Sequence, residues 1–203
     1  MSTTAQSTVP PSGPPPGPLW PLSVEQYHQM IDAGILTEDD PVELLDGVLV
    51  RKMPKHPLHP FVTDGLREWL ISVLPAGCFT KAQDPVTLPT SEPEPDISVI
   101  RGQRQAFVKR HPQAADAVLF VEVSETTLAQ DRGPKKRIYA RANIPQYWII
   151  NLVDRQIEVF RDPDAAAGDY AQPMIYGVQD ELPVVIDGKT IGKLRLAELL
   201  PVE

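Results

Sequence analysis

Two acidic residues stand where an acid is costly. Glu122 lies inside AVLFVEVS (residues 117–124), an otherwise apolar run, and Asp96 follows Pro95 at the head of a second apolar run, DISVI. An ionised carboxylate in a buried strand costs several kcal/mol unless a cation or a hydrogen-bond donor meets it. If the two strands are neighbours, both carboxylates reach one edge of a sheet. Two carboxylates, a backbone carbonyl and waters make the all-oxygen set that Mg²⁺ or Mn²⁺ takes. Such an ion activates water and neutralises charge growing on a phosphoryl group. Lys135 follows soon after, at the start of a helix, where an ammonium can hold the attacking water or the scissile phosphate. The segment RGPKKRIYAR (132–141) carries Arg132, Lys135, Lys136, Arg137 and Arg141 and no acid. Arg132, Lys136 and Arg137 are therefore the expected phosphate contacts, with Arg101, Arg104, Lys109 and Arg110 as a second basic stretch.

Each of these residues has a plainer alternative. Asp96 after proline suits a turn. Glu122 suits a buried ion pair with Arg137 or Arg141. Lys135 suits a solvated helix face, and Glu43 an exposed strand position beside a turn. His56 and His59 are three apart, but no cysteine or acid completes a tetrahedral zinc set around them in the sequence.

The elements that must position these groups are legible in outline. Ser23 caps a helix that ends at Gly34, with Gln26 completing a capping box. VELLDGVLV predicts a hairpin about Asp46-Gly47, with strands at 42–45 and 48–53. A helix is expected over 59–74 with Phe61, Val62, Leu66, Trp69, Leu70 and Val73 on its apolar stripe. Strands follow at 78–89, bent or broken, and from Asp96. AVLFVEVS reads as a central strand buried on both faces. A helix over 132–142, strands QYWIINL and RQIEVFRD, short strands near 170–176 and 182–187, and a small helix at 195–199 complete the order. Hairpins, helices and central strands in this succession imply one α/β domain, residues 20–203.

Composition sets the outer bounds. The chain has 203 residues, 23 of them proline, one cysteine and a net charge of −8. One cysteine excludes a disulfide framework and a multi-cysteine zinc site. The acidic balance argues against a nonspecific nucleic-acid coat protein. No apolar stretch approaches the length of a membrane span. Residues 1–19, rich in Ser, Thr, Pro and Gly, read as a disordered tail. The chain start lacks a signal peptide's basic and apolar regions, so a cytoplasmic protein is the expectation.

The order P-D, a long gap, V-E-V and a nearby lysine resembles the PD-(D/E)XK nuclease superfamily. More closely, the run FVEVSETTLAQDRGPKKRIYARANIPQYWIINLVDRQIEVFRDP is similar to the Uma-two family of restriction-endonuclease-like proteins. That family has a V-E-V-S core, then D-R-G-x-K, a tyrosine, an alanine-rich turn and Y-W-I. VELLDGVLV, PLHPFV and PEPDISVI match its hairpin, P-x-H and P-D segments in order, so the resemblance spans roughly residues 20–163. It implies a restriction-endonuclease-like fold, a mixed central sheet flanked by helices. It implies Asp96 and Glu122 as metal ligands and Lys135 as the catalytic lysine, displaced from the usual place two residues after the glutamate, where Ser124 stands. It adds Glu43 as a further acid and His59 as an accessory residue, and it implies a homodimer, for which the apolar strands YWIINL and VEVF are the expected face. Gln130, Pro134 and Asn151 depart from the family pattern. The resulting expectation is an endonuclease on DNA that uses Mg²⁺, or Mn²⁺ in its place. Asp96, Glu122 and the Val123 carbonyl would hold the ion. The alternative is a nuclease-fold binding module that has weak chemistry or none.

Overall fold

The computed structural model describes residues 17–201. The expected tail lies outside them except for its last three residues. Ser23 caps α1 (Val24–Asp32), its hydroxyl accepting from Gln26 N–H while the Gln26 side chain accepts from Ser23 N–H. Strands β1 (Val42–Leu45) and β2 (Val48–Arg51) pair antiparallel across Asp46-Gly47. Both turn residues have positive φ, 47° and 77°, as a tight turn matching strand twist requires. Next come α2 (Leu58–Val73), β3 (Cys78–Lys81), β4 (Ile97–Arg101) and β5 (Ala117–Ser124). A continuous helical stretch follows as α3 (Leu128–Gln130), a wide π turn (Asp131–Lys135) and α4 (Lys136–Arg141). The remainder is β6 (Gln146–Asn151), β7 (Gln156–Arg161), β8 (Pro163–Asp164), β9 (Asp169–Tyr170), β10 (Met174–Gly177), β11 (Leu182–Ile186) and β12 (Lys189–Leu194). The small helix expected at 195–199 is a single 3₁₀ turn, Leu196–Glu198.

Six strands form one sheet in the order β10-β7-β6-β5-β4-β3. Only β5 and β6 run parallel, joined by the α3–π–α4 crossover, and the other neighbours are antiparallel. β5 sits at the centre with all eight residues buried, which explains its unbroken apolar run. On one face, Val62, Leu66 and Leu70 of α2 and the β11–β12 hairpin pack against Val121, Trp148 and Val159. On the other, Ile138, Tyr139 and Ala140 of α4 pack against Phe120, Tyr147 and Phe160. The mixed α/β sheet with helices on both faces is therefore as expected, and the β11–β12 hairpin shares one face with α2. The apolar stripe of α2 overreaches slightly: Phe61 is exposed at the margin of the helix's buried face. Among the described residues no helix is long and apolar enough to cross a membrane.

One expectation is corrected here. The strands YWIINL and VEVF were the anticipated dimer face. Tyr147, Trp148, Ile149, Ile150, Ile157 and Val159 are instead buried by the chain's own helices and hairpins, so they offer no face to a second copy.

Candidate functional site

Strands β4 and β5 bring the two acids together. Ile97 lies opposite Val121. Carried one residue further, the register sets Asp96 across from Glu122, because facing residues in an antiparallel pair share a side of the sheet. Both side chains are buried. Asp96 Oδ2 accepts from Val123 N–H at 2.9 Å and from His59 Nε2 at 2.9 Å, and Oδ1 accepts from Lys55 Nζ at 2.9 Å. Burial pushes the Asp96 carboxyl up, but His59 and Lys55 outweigh it and hold its pKa below the usual carboxylate value. His59 must then donate through Nε2, since an ionised carboxylate only accepts. Its Nδ1 faces the Thr63 hydroxyl, one helical turn along α2, at 3.4 Å.

Glu122 Oε1 accepts from Lys135 Nζ at 3.1 Å and from Tyr139 Oη at 2.7 Å. The same ammonium lies 3.3 Å from Glu43 Oε1 on β1, and Glu43 Oε2 accepts from Glu94 N–H at 3.2 Å. Asp131 closes the group, accepting from Ser124 Oγ and Thr127 Oγ1, each at 2.6 Å. Burial raises the Glu122 carboxyl. Lys135 pulls it back, but Asp131, Asp96 and Glu43 add to the rise, and the net shift is upward. Burial alone would lower Lys135, yet Glu122, Glu43 and Asp131 win and hold its ammonium firmly protonated. The crowding of four carboxylates around few cations feeds both shifts, added to burial for Glu122 and against burial for Lys135.

The π turn decides which lysine enters. Lys136 N–H bonds back to the Asp131 carbonyl, five residues away, and Pro134, which lacks an N–H, sits inside that wide turn. Lys135 consequently points inward and is 7% exposed. Lys136 points outward, 2.7 Å from Asp169 and over the Phe160 ring.

The acids line a cleft of about 230 Å³, closed on one side by residues 51–56 of the β2–α2 connection. The structure thus brings Asp96, Glu122, Lys135, Glu43 and His59 to one place, with Val123 beside them. It does not bring Arg132, Lys136 or Arg137 to the cleft lining. Arg132 bonds to Glu158 and Asp154, Arg101 to Asp187 and Arg110 to Asp116. The ion pair of Glu122 with Arg137 or Arg141 does not form; Lys135 and Tyr139 take that carboxylate, and Arg141 bonds to Asp46. Two cleft residues, Lys55 and Asp131, and Tyr139 behind Glu122 escaped the sequence reading of the site. Asp131 and Tyr139 each stand four residues from Lys135, the spacing that shares a helix face. Lys55 lies in RKMPKHPLH, nine residues without an acid.

Among the described residues no group of three or more His, Cys, Asp or Glu is arranged to hold a metal ion. Lys55, His59, Lys135 and Tyr139 hold the carboxylate oxygens instead. The donor chemistry fits a hard divalent cation all the same: the set is all oxygen, buried and over-supplied with negative charge.

The Uma2 family model, described as putative restriction endonuclease, matches residues 24–191. No curated protein matches the chain. Among solved structures, a putative nuclease belonging to DUF820 from Anabaena variabilis is similar, with a TM-score of 0.66 and 14% identity over 88% of this chain and 97% of that one. At that identity the likeness is one of fold. The family match covers most of the chain and includes the hairpin, the P-D strand, the V-E-V strand and the lysine helix, and on it the chain belongs to the Uma2 family.

Proposed function

We propose that this protein is a metal-dependent endonuclease that hydrolyses phosphodiester bonds in DNA. The observation that carries the proposal is the convergence of Asp96 and Glu122 across β4 and β5, with the Lys135 ammonium 3.1 Å from Glu122. Asp96, Glu122 and the Val123 carbonyl would hold Mg²⁺, or Mn²⁺ in its place. The ion would supply an activated water and neutralise charge on the phosphoryl oxygens. His59 and Thr63 fix the orientation of Asp96. Lys135, protonated and wedged between Glu43 and Glu122, acts as a fixed positive charge that orients water, and its raised pKa rules it out as a general base at neutral pH. Tyr139 fixes Glu122 from the other side. Family membership and the nuclease-like fold support the same reading. A homodimer, one copy for each strand of a duplex, belongs to it.

A second reading is a binding module without chemistry. Its support is that protein cations already satisfy Asp96 and Glu122. The deciding experiment incubates wild type and Asp96→Asn with supercoiled plasmid and single-stranded DNA, under Mg²⁺, Mn²⁺ and EDTA. Metal-dependent cleavage that disappears in the variant is the expected result. A folded wild type that cleaves nothing under any of these conditions removes the nuclease reading.

A further inference from the structure

The β2–α2 connection carries five side chains able to bear positive charge in nine residues (51–59) and no acid, in a chain of net −8. Three of them form a ladder against the acidic wall of the cleft. Lys52 Nζ lies 2.8 Å from Glu94, Lys55 Nζ 2.9 Å from Asp96, and His56 Nδ1 3.4 Å from Glu125. Glu125 Oε2 is buried with no hydrogen-bond partner. The ladder's cations are not sealed in: the Lys52 and Lys55 side chains are each 37% exposed. Arg51 is exposed and makes no ion pair among the described residues. Lys135, by contrast, is buried and cannot leave its two glutamates.

A half-exposed ammonium exchanges one anionic partner for another at small cost. Resting on the nuclease reading of the cleft, we propose that residues 51–56, the lip of the cleft, are the surface that grips the sugar-phosphate backbone. Arg51 and Lys52 hold flanking phosphates, and Lys55 passes from Asp96 to the phosphate nearest the reacting bond. The dimensions agree. Arg51 to Lys55 reach at most about 14 Å, or about four nucleotides of one strand at roughly 3.4 Å of duplex axis each. The surface differs from the 132–141 helix in its place: residues 51–56 line the cleft, whereas Arg132, Lys136 and Arg137 do not.

The test measures binding apart from cleavage. Full-length wild type, Arg51→Gln, Lys55→Gln and Lys136→Gln are titrated onto a short fluorescent DNA duplex in EDTA, by anisotropy, over a salt series. Arg51→Gln and Lys55→Gln each weaken binding several-fold and each reduce the slope of log K against log salt by about 1. Lys136→Gln leaves the slope unchanged. Arg51 has no ion pair to lose, so its variant reads binding without a folding cost. An unchanged slope in both lip variants, an equal loss at Lys136, or no binding by wild type at low salt overturns the proposal. Cleavage by wild type with unchanged slopes overturns the lip and leaves the nuclease reading intact. Reduced slopes without cleavage under any metal remove the nuclease reading and leave the lip as a nucleic-acid surface.

Discussion

At the scale of single side chains, the cleft is held by charge balance more than by packing. Lys135 contacts both Glu43 and Glu122, so Lys135→Met leaves two buried acids without their cation, at a cost of about 3–5 kcal/mol in a denaturant titration. The loss depends on pH. The Glu122 carboxyl has a raised pKa in the folded chain, so its contribution is fully present at low pH and is lost as pH rises through the folded value. Removing Lys135 raises that value, about 8 in the wild type, still further, so the deficit should widen as pH rises from 7 to 9, and a deficit constant across that range would contradict the charge assignment. Tyr139→Phe removes the 2.7 Å donor to the same oxygen and should cost about 1–3 kcal/mol, read as a lowered melting temperature. Asp96 and Glu122 were legible because an acid in an apolar strand conflicts with its surroundings. Lys135 and Lys136 are adjacent in sequence, and only the π turn separates them. Lys55 gave a signal only as part of a local composition, because its partner acid lies far along the chain.

At the scale of elements, local chemistry was the most readable. The Ser23 capping box and the Asp46-Gly47 turn both form as their residues dictate. Gly47 has a second reason to be glycine: a Cβ there would lie 2.6 Å from Pro21 Cβ, at a φ of +77°. Gly47→Ala should therefore cost about 1–3 kcal/mol and shift the hairpin that carries Glu43, so melting temperature and cleavage should fall together. The turn at Asp187-Gly188 repeats this chemistry, with φ of 51° and 72°, yet β12 was not anticipated, since KTIGKL alternates too weakly to read as a strand. Outside the cleft lining, Glu158 on β7 is bonded by Arg132 and Asn151. Burial raises its carboxyl, but those hydrogen bonds outweigh it and its pKa is lowered. Its stability contribution is thus present above the ordinary value of 4.5 and is lost as pH falls through the folded value. The melting-temperature gap between wild type and Glu158→Gln should close as pH drops below that value, and a gap that persists in acid would sink the argument.

At the scale of the whole molecule, the buried centre of the sheet leaves its edges for assembly. Met174 and Ile175 on the outer strand β10 are exposed, at 41% and 49%, whereas the central strands are covered. Light scattering should give twice the chain's 22.5 kDa, and Ile175→Lys should return it to one chain; a wild type of single-chain mass removes the dimer. The two-faced core explains why this division was hidden in the sequence, since a strand covered by its own helices and one covered by a second copy carry the same apolar run. The π turn has a consequence that reaches beyond this chain. One residue added to or lost from a helix rotates everything after it by about 100°. A homologue whose segment lacks the wide turn would keep an ammonium beside its glutamate only by carrying lysine one position away. Glutamate-to-lysine spacing in such proteins should therefore be elastic by a residue, and their alignment should follow helical phase in preference to column number.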